Sequence, residues 1–196
     1  MKIGIYIGSF NPIHIIHEEI VKNLLKDDLD KVIILPTNEK YHLKNNLETF
    51  EHRENMIDLV FDDNQVIISD LEKEEYHFTC DNIRILKEKY PDDVLYLIIG
   101  ADNLIELNTW KKYIYLLENC NFIVFGRDNI NLKEYININF TNYKNKFIIK
   151  ESNKNISSTL IRQKLKNKEN VNLYLNEKVI DYIYKNNLYG VKENEC

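Results

Sequence analysis

Six short apolar runs rich in β-branched residues recur along the chain, at Ile3 to Ile7, Lys31 to Leu35, Val66 to Ser69, Val94 to Ile99, Asn121 to Phe125 and Lys146 to Ile149. Their length and near-continuous hydrophobicity predict strands buried on both faces. Between them the apolar spacing becomes helical: Ile20, Val21, Leu24 and Leu25, then Met56, Ile57, Val60 and Phe61, then Ile83, Leu86 and Tyr90. Strands alternating with helices predict an α/β fold, a doubly wound parallel sheet with helices on both faces. Leu175, Val179, Tyr182 and Ile183 predict a closing helix near 173–188, packed on the sheet edge.

Helix starts are marked by Thr49, Thr79, Thr109, and Ser157 or Ser158, each a residue type that caps free amides. The polar, aperiodic stretch from Thr37 to Asn46 follows the second strand directly. In open α/β sheets ligands bind beyond the carboxyl ends of strands, so this loop is placed to touch one.

Composition narrows the picture. A chain of 196 residues, 44% hydrophobic, is long enough for one domain with a sizeable core and short for two, so residues 1–196 are read as a single domain. The net charge of -5 lacks the clustered basic surface of a nucleic-acid binder. No apolar stretch reaches membrane-spanning length, and MKIGIYIGSF lacks the pattern of a signal peptide. The expectation is a soluble, cytoplasmic protein with neither a membrane nor a nucleic acid as partner. Cys80, Cys120 and Cys196 are too dispersed for a disulfide framework or paired metal ligands.

The chemistry concentrates in two places. After the first strand comes Gly8-Ser9-Phe10-Asn11-Pro12-Ile13-His14-Ile15-Ile16-His17. Gly8 permits close backbone approach, the amides that follow can face phosphate oxygens, and Pro12 presets a turn. A helix beginning near Ile13 would put His14 and His17 on one face, at an end whose dipole favours anions. Far downstream, Ile156-Ser157-Ser158-Thr159-Leu160-Ile161-Arg162 opens a helix with three hydroxyls and a cation one turn on, a second anion seat or simply an N-cap.

The first segment resembles the His-x-Gly-His signature of a nucleotidyltransferase superfamily, and the second its Ile-Ser-x-Thr-x-x-Arg signature, matched at Ile156, Ser157, Thr159 and Arg162. Ile16 stands where that superfamily has glycine, and a branched side chain there is expected to crowd the adenine or shift its seat. Ile99-Gly100-Ala101-Asp102-Asn103-Leu104 and Thr109-Trp110-Lys111 look like elements of the bacterial nicotinate mononucleotide adenylyltransferases. The resemblance spans nearly the whole chain and is weakest from Asp128 to Lys146. It implies a Rossmann-like fold and transfer of AMP from ATP to nicotinate mononucleotide, giving deamido-NAD and pyrophosphate in NAD biosynthesis.

By the same resemblance, His14, His17 and Arg162 serve catalysis, and ATP is held by Gly8, Ser9, Phe10, His14, His17, Ile156, Ser157, Ser158, Thr159 and Arg162, with Gly100 and Asp102 at its ribose. Thr79, Trp110 and Lys111 are expected at the pyridine ring and its carboxylate, and Asn38, His42 and Lys44 at the mononucleotide phosphate. Arg53 and Arg127 occupy family-like positions, where each contacts phosphate or pairs with a carboxylate. Magnesium is expected on the ATP phosphates, without a protein metal site. Nicotinamide mononucleotide and phosphopantetheine stand as alternative acceptors, a noncatalytic nucleotide-binding module as the rival of another class, and a homo-oligomer is left open.

Overall fold

A computed structural model describes residues 1–40, 47–126, 131–151 and 156–192. Six strands form one sheet: β1 (Lys2–Gly8), β2 (Lys31–Pro36), β3 (Val66–Ile68), β4 (Val94–Gly100), β5 (Asn121–Gly126) and β6 (Phe147–Glu151). All pairings are parallel and the spatial order is β3-β2-β1-β4-β5-β6. Every expected strand is present. β1 lies at the centre between β2 and β4, which is why its sequence is apolar almost throughout.

The chain runs outward from β1 to β2 and β3, then returns to place β4 on the other side of β1. This reversal opens a crevice at the carboxyl ends of β1 and β4, the usual ligand position in such sheets. The register Tyr6↔Ile98 sets Gly8 and Gly100, each two residues further on, at the same end of neighbouring strands.

Strand side chains alternate between two cores. On one face Ile34, Ile98 and Ile123 pack with helices α1 (Ile15–Asp27), α2 (Phe50–Asp58), α7 (Ser158–Lys166) and α8 (Glu177–Lys185). On the other, Ile5, Ile33, Leu97 and Val124 pack with α3 (Thr79–Lys89), α4 (Ala101–Glu106), α5 (Tyr113–Asn119) and α6 (Leu132–Asn139). In α1 the buried Ile16, Ile20, Val21 and Leu24 form one stripe at helical spacing. Cys80 and Cys120 are free and buried, and burial pushes the Cys120 thiol up to about 12, which keeps it unreactive.

Several boundaries differ from the sequence expectation, each for a local reason. The closing helix is only Glu177–Lys185, because Asn176 caps it by accepting from Lys178 N at 3.1 Å and Asn187 ends it in the left-handed region. Leu173 lies outside it and is 79% exposed. Helix α1 starts at Ile15 rather than near Ile13. Thr49 and Ser157 cap as expected, accepting from His52 N and Leu160 N. Thr79 is instead the first residue of α3, after Phe78. Thr109 caps nothing: it ends a 3-10 turn, its hydroxyl donates to Glu106 O at 2.7 Å, and the next helix waits until Tyr113, after Lys112 at φ 51°.

Replacing Ile123, fully buried in the sheet, by Ala should lower the unfolding free energy by about 2 to 5 kcal/mol through lost burial and a residual cavity. The change at Ile148, half-exposed on the edge strand β6, should cost less than half as much. Urea unfolding midpoints of the two variants measure the contrast.

Candidate active site

The loop after β1 is built by donors that grip its carbonyls. Gly8 O accepts from Thr37 N at 2.9 Å, Ser9 O from Arg53 Nη1 at 2.8 Å, Asn11 O from Arg162 Nη1 at 2.8 Å, and Pro12 O from Ser158 Oγ at 3.0 Å. In a trans peptide the N–H points opposite the C=O, so the amides of Ser9, Phe10 and Ile13 are turned away from these donors. Phe10 has φ 46°, a left-handed conformation costing about 1 kcal/mol for a residue with a side chain. Its ring, 2% exposed, is held edge-on against Tyr6 and His17 at 5.3 and 5.0 Å between centroids.

His14 is the N-cap of α1 and His17 sits three residues on. The His14 amide donates to His17 Nδ1 at 3.3 Å, one half of a capping-box arrangement. That contact makes Nδ1 the acceptor and so assigns the neutral ring's proton to Nε2. The two rings stack at 3.7 Å between centroids with 19° between planes, so residues expected on one face are indeed adjacent. Desolvation, and then the neighbouring charge of His14, hold His17 well below the usual histidine value, leaving it neutral near pH 7. Ile16 is buried in the core behind this helix.

The downstream segment docks directly onto this loop. Besides donating to Asn11 O, Arg162 reaches Thr159 Oγ1 from Nη2 at 3.3 Å. Ser157 caps α7, Ser158 is committed to Pro12 O, and Ile156 packs on the first core. Ser157 and Thr159 are exposed while Arg162 is half-buried, so this helix start presents hydroxyls outward while its arginine braces the loop. At the end of β4, Gly100 is the N-cap of α4, and a Cβ there would collide with the exposed Asp102 carboxylate that folds back over it.

Beside the first loop lies a cavity of about 370 Å³. Gly8 and Ser9 of that loop line it together with Thr79, Thr109, Trp110 and Lys111. Trp110 is half-buried and also packs on the second core. The Lys111 ammonium lies 4.1 Å from the Phe78 ring centroid and 3.1 Å from Asp81, so its charge is engaged at the rim.

Asn38 is 1% exposed and turned inward. Its amide nitrogen donates to Glu72 O at 2.7 Å and its oxygen accepts from Lys40 N at 2.8 Å, so the side chain braces the loop after β2. His42, Lys44 and Arg127 lie outside the described residues. Arg53, fully buried, spends Nε on Glu48 O at 2.9 Å and Nη1 on Ser9 O, with Phe50 beneath its guanidinium at 5.6 Å. It clamps the loop from behind, and burial lowers its pKa.

Three contributors carry no signal of their own partners in the sequence. Glu72 sits in an acidic run that reads as a solvated surface, yet it is 1% exposed and lines the cavity. It accepts from Asn38 N at 2.9 Å and Asn82 Nδ2 at 2.6 Å, and burial raises its pKa against those two hydrogen bonds. Tyr189 reaches Asn11 Oδ1 across 178 positions of sequence. Thr37, whose amide holds Gly8 O, is one more polar residue in a polar loop.

The depressed His17 pKa has a consequence for stability. The unfolded chain binds the proton more readily, so the stabilisation is present above the ordinary value near 6.5 and is lost as pH falls below it. Urea unfolding at pH 7.5 and pH 5.5 should show this loss in the native protein, and His17→Gln should reduce it.

Comparison with known proteins agrees with this geometry. Residues 5–164 match the cytidylyltransferase-like family model. Over 191 residues the chain is 44% identical to a protein of Fusobacterium nucleatum named "probable nicotinate-nucleotide adenylyltransferase", covering 94% of this chain and 98% of that one. A Flavobacterium psychrophilum protein of the same name is 35% identical over 195 residues, covering 96% and 99%. In structure, the chain matches the nicotinic acid mononucleotide adenylyltransferase of Plasmodium falciparum complexed with NaAD, with a TM-score of 0.83, 25% identity and 98% of both chains covered. A parallel sheet of matching topology, a family model spanning most of the sequence and relatives aligned end to end agree: the chain belongs to the cytidylyltransferase-like family, among its nicotinate-nucleotide adenylyltransferases.

Proposed function

We propose that this enzyme transfers AMP from ATP to nicotinate mononucleotide, forming nicotinate adenine dinucleotide, also called deamido-NAD, and releasing pyrophosphate. The observation that carries the reading is the shared wall: Gly8 and Ser9 open the loop bearing His14 and His17 and also bound the neighbouring cavity. Two anionic ligands seated on either side of that wall have their phosphates next to one another.

In the reaction a 5′ phosphate oxygen of the mononucleotide attacks the α-phosphorus of ATP. A new P–O bond forms in line with the breaking bond to the β-phosphate, and pyrophosphate leaves with that bond's electrons. The attacking oxygen is already anionic, so no protein nucleophile or general base is required. What remains for the protein is positioning and fixed electrostatics.

His17 offers an Nε2–H from a neutral ring, so it donates to phosphate without a protonation step. With His14 and the amides of Ser9 and Phe10 it steadies the α and β phosphates at the start of α1, where the helix dipole also favours anions. Ser157, Thr159 and the remaining N–H groups of Arg162 hold the departing pyrophosphate, and Gly100 and Asp102 take the ribose of the ATP moiety. Magnesium, when bound, neutralises phosphate charge while keeping several waters, and phosphate oxygens are suitable donors for it. Among the described residues no group of three or more His, Cys, Asp or Glu is arranged to hold a metal.

In the cavity, Trp110 stacks on the pyridine ring, and backbone amides near Thr79 and Lys111 receive the carboxylate. An amide in place of that carboxylate would set a donor against donors, a mismatch of about 1 to 3 kcal/mol. Steady-state kinetics should therefore give a kcat/KM for nicotinate mononucleotide about 10- to 100-fold above that for nicotinamide mononucleotide. Trp110→Ala should raise the KM for the mononucleotide while leaving the KM for ATP close to the native value. Pyrophosphate release with phosphopantetheine and none with nicotinate mononucleotide would overturn the assignment.

A further inference from the structure

The segment after α8 folds into a turn that local preference does not explain. After α8, Asn187, Tyr189 and Gly190 have φ of 53°, 57° and 82°, so two residues with side chains sit in the left-handed region. Leu188 and Val191, 5% and 3% exposed, bury themselves in the first core on either side of Tyr189. Tertiary anchoring therefore holds a conformation that the segment alone would not favour.

The anchored turn aims one side chain at the nucleotide loop. The Tyr189 hydroxyl donates to Asn11 Oδ1 at 2.9 Å, and the Tyr189 amide donates to Glu48 Oε1 at 3.3 Å. Glu48 N donates to that same Asn11 oxygen at 3.1 Å, while Glu48 O receives Arg53 Nε, whose Nη1 holds Ser9 O. Asn11 itself is 1% exposed, and its backbone oxygen is held by Arg162. Asn11 is thus the knot where the carboxyl-terminal turn, the segment before α2 and the start of α7 meet, between left-handed Phe10 and Pro12. Burial raises the Tyr189 pKa further, so its hydroxyl remains a donor throughout the working pH range. Tyr189 does not line the acceptor cavity.

We propose that Tyr189 is a positioning residue for the adenylyl-transfer reaction: by donating to Asn11 it fixes the nucleotide-phosphate loop from behind and touches neither substrate. This rests on the reading that the loop from Gly8 to His17 seats the phosphates of ATP. Asn11 lies beyond Gly8 and Ser9, the loop residues that bound the cavity, so the effect of Tyr189 falls on ATP and spares the mononucleotide, a split that a purely structural tyrosine would not produce.

The experiment compares Tyr189→Phe, Tyr182→Phe and His17→Ala with the native enzyme, well below the melting transition of every variant. Tyr182 is the matched control: its hydroxyl lies 3.0 Å from both His52 and Asn55 on the same carboxyl-terminal region, away from the loop. Tyr189→Phe is expected to lower kcat/KM for ATP about tenfold, equivalent to about 1.4 kcal/mol, and to weaken calorimetric binding of ATP alone by a similar factor. Its KM for nicotinate mononucleotide should stay within about twofold of native, as should every parameter of Tyr182→Phe. Native ATP kinetics in Tyr189→Phe, or an equal loss toward both substrates, overturns the positioning role. If that variant is native-like while His17→Ala loses turnover, the phosphate seat stands and only Tyr189 falls. If His17→Ala also turns over normally, the seat and the positioning role fall together.

Discussion

The orientation of four carbonyls in one loop is the constraint on which the rest of the site depends. A strand-to-helix loop can bind phosphate only if its amides face the ligand, and a peptide plane turns its amide and carbonyl together. Here the carbonyls of Gly8, Ser9, Asn11 and Pro12 are claimed by Thr37, by Arg53, and by Arg162 and Ser158 of α7, from three separate parts of the sequence; Asn11 precedes Pro12, which has no N–H, and the other three peptide planes orient the amides of Ser9, Phe10 and Ile13. The loop's geometry is therefore a property of the assembled fold, which is how a left-handed Phe10 is tolerated in it.

Burial sets the electrostatics around that loop. Arg53 is removed from water entirely, and its charge is balanced by hydrogen bonds to two carbonyls, by the Phe50 ring and by the fields of Glu39 and Glu72. Glu72, equally buried, is kept in place by the amides of Asn38 and Asn82. Buried charges of this kind contribute little net stability but strongly disfavour arrangements that leave them unpaired. Glu72 does so at the wall of the cavity, and Arg53 does so behind the loop. Desolvation also disfavours the charged form of His17, which remains a neutral donor beside His14.

The topology explains why a crevice opens beside β1. Because the chain reverses direction between β3 and β4, the ends of β1 and β4 diverge, and each ends in glycine where a ligand can come near the backbone. The first loop rises from β1 and its start bounds the cavity, while α4 and the segment through Trp110 follow β4. A fold of this kind needs no separate domain to bring a mononucleotide to ATP.

Much of this was legible in the residues themselves. Apolar runs of strand length are buried in any parallel sheet, so all six strands and the doubly wound class follow from hydrophobic pattern alone. The clusters at Gly8–His17 and Ile156–Arg162 are contiguous in sequence, which is why their chemistry is visible without coordinates. Local signals also placed the Thr49 and Ser157 caps, since those bonds span only three residues. Thr109 looked like another cap, but the left-handed Lys112 postponed the helix; the polar stretch after β2 does bring Thr37 to the cavity, while Glu72 turns the Asn38 side chain inward. Arg53 stands at a family-like position, but its partners, like those of Glu72 and Tyr189, were hidden for one reason. Their roles are contacts between segments distant in sequence, and only the tertiary structure decides which polar side chain loses its water and which carbonyl or amide replaces it.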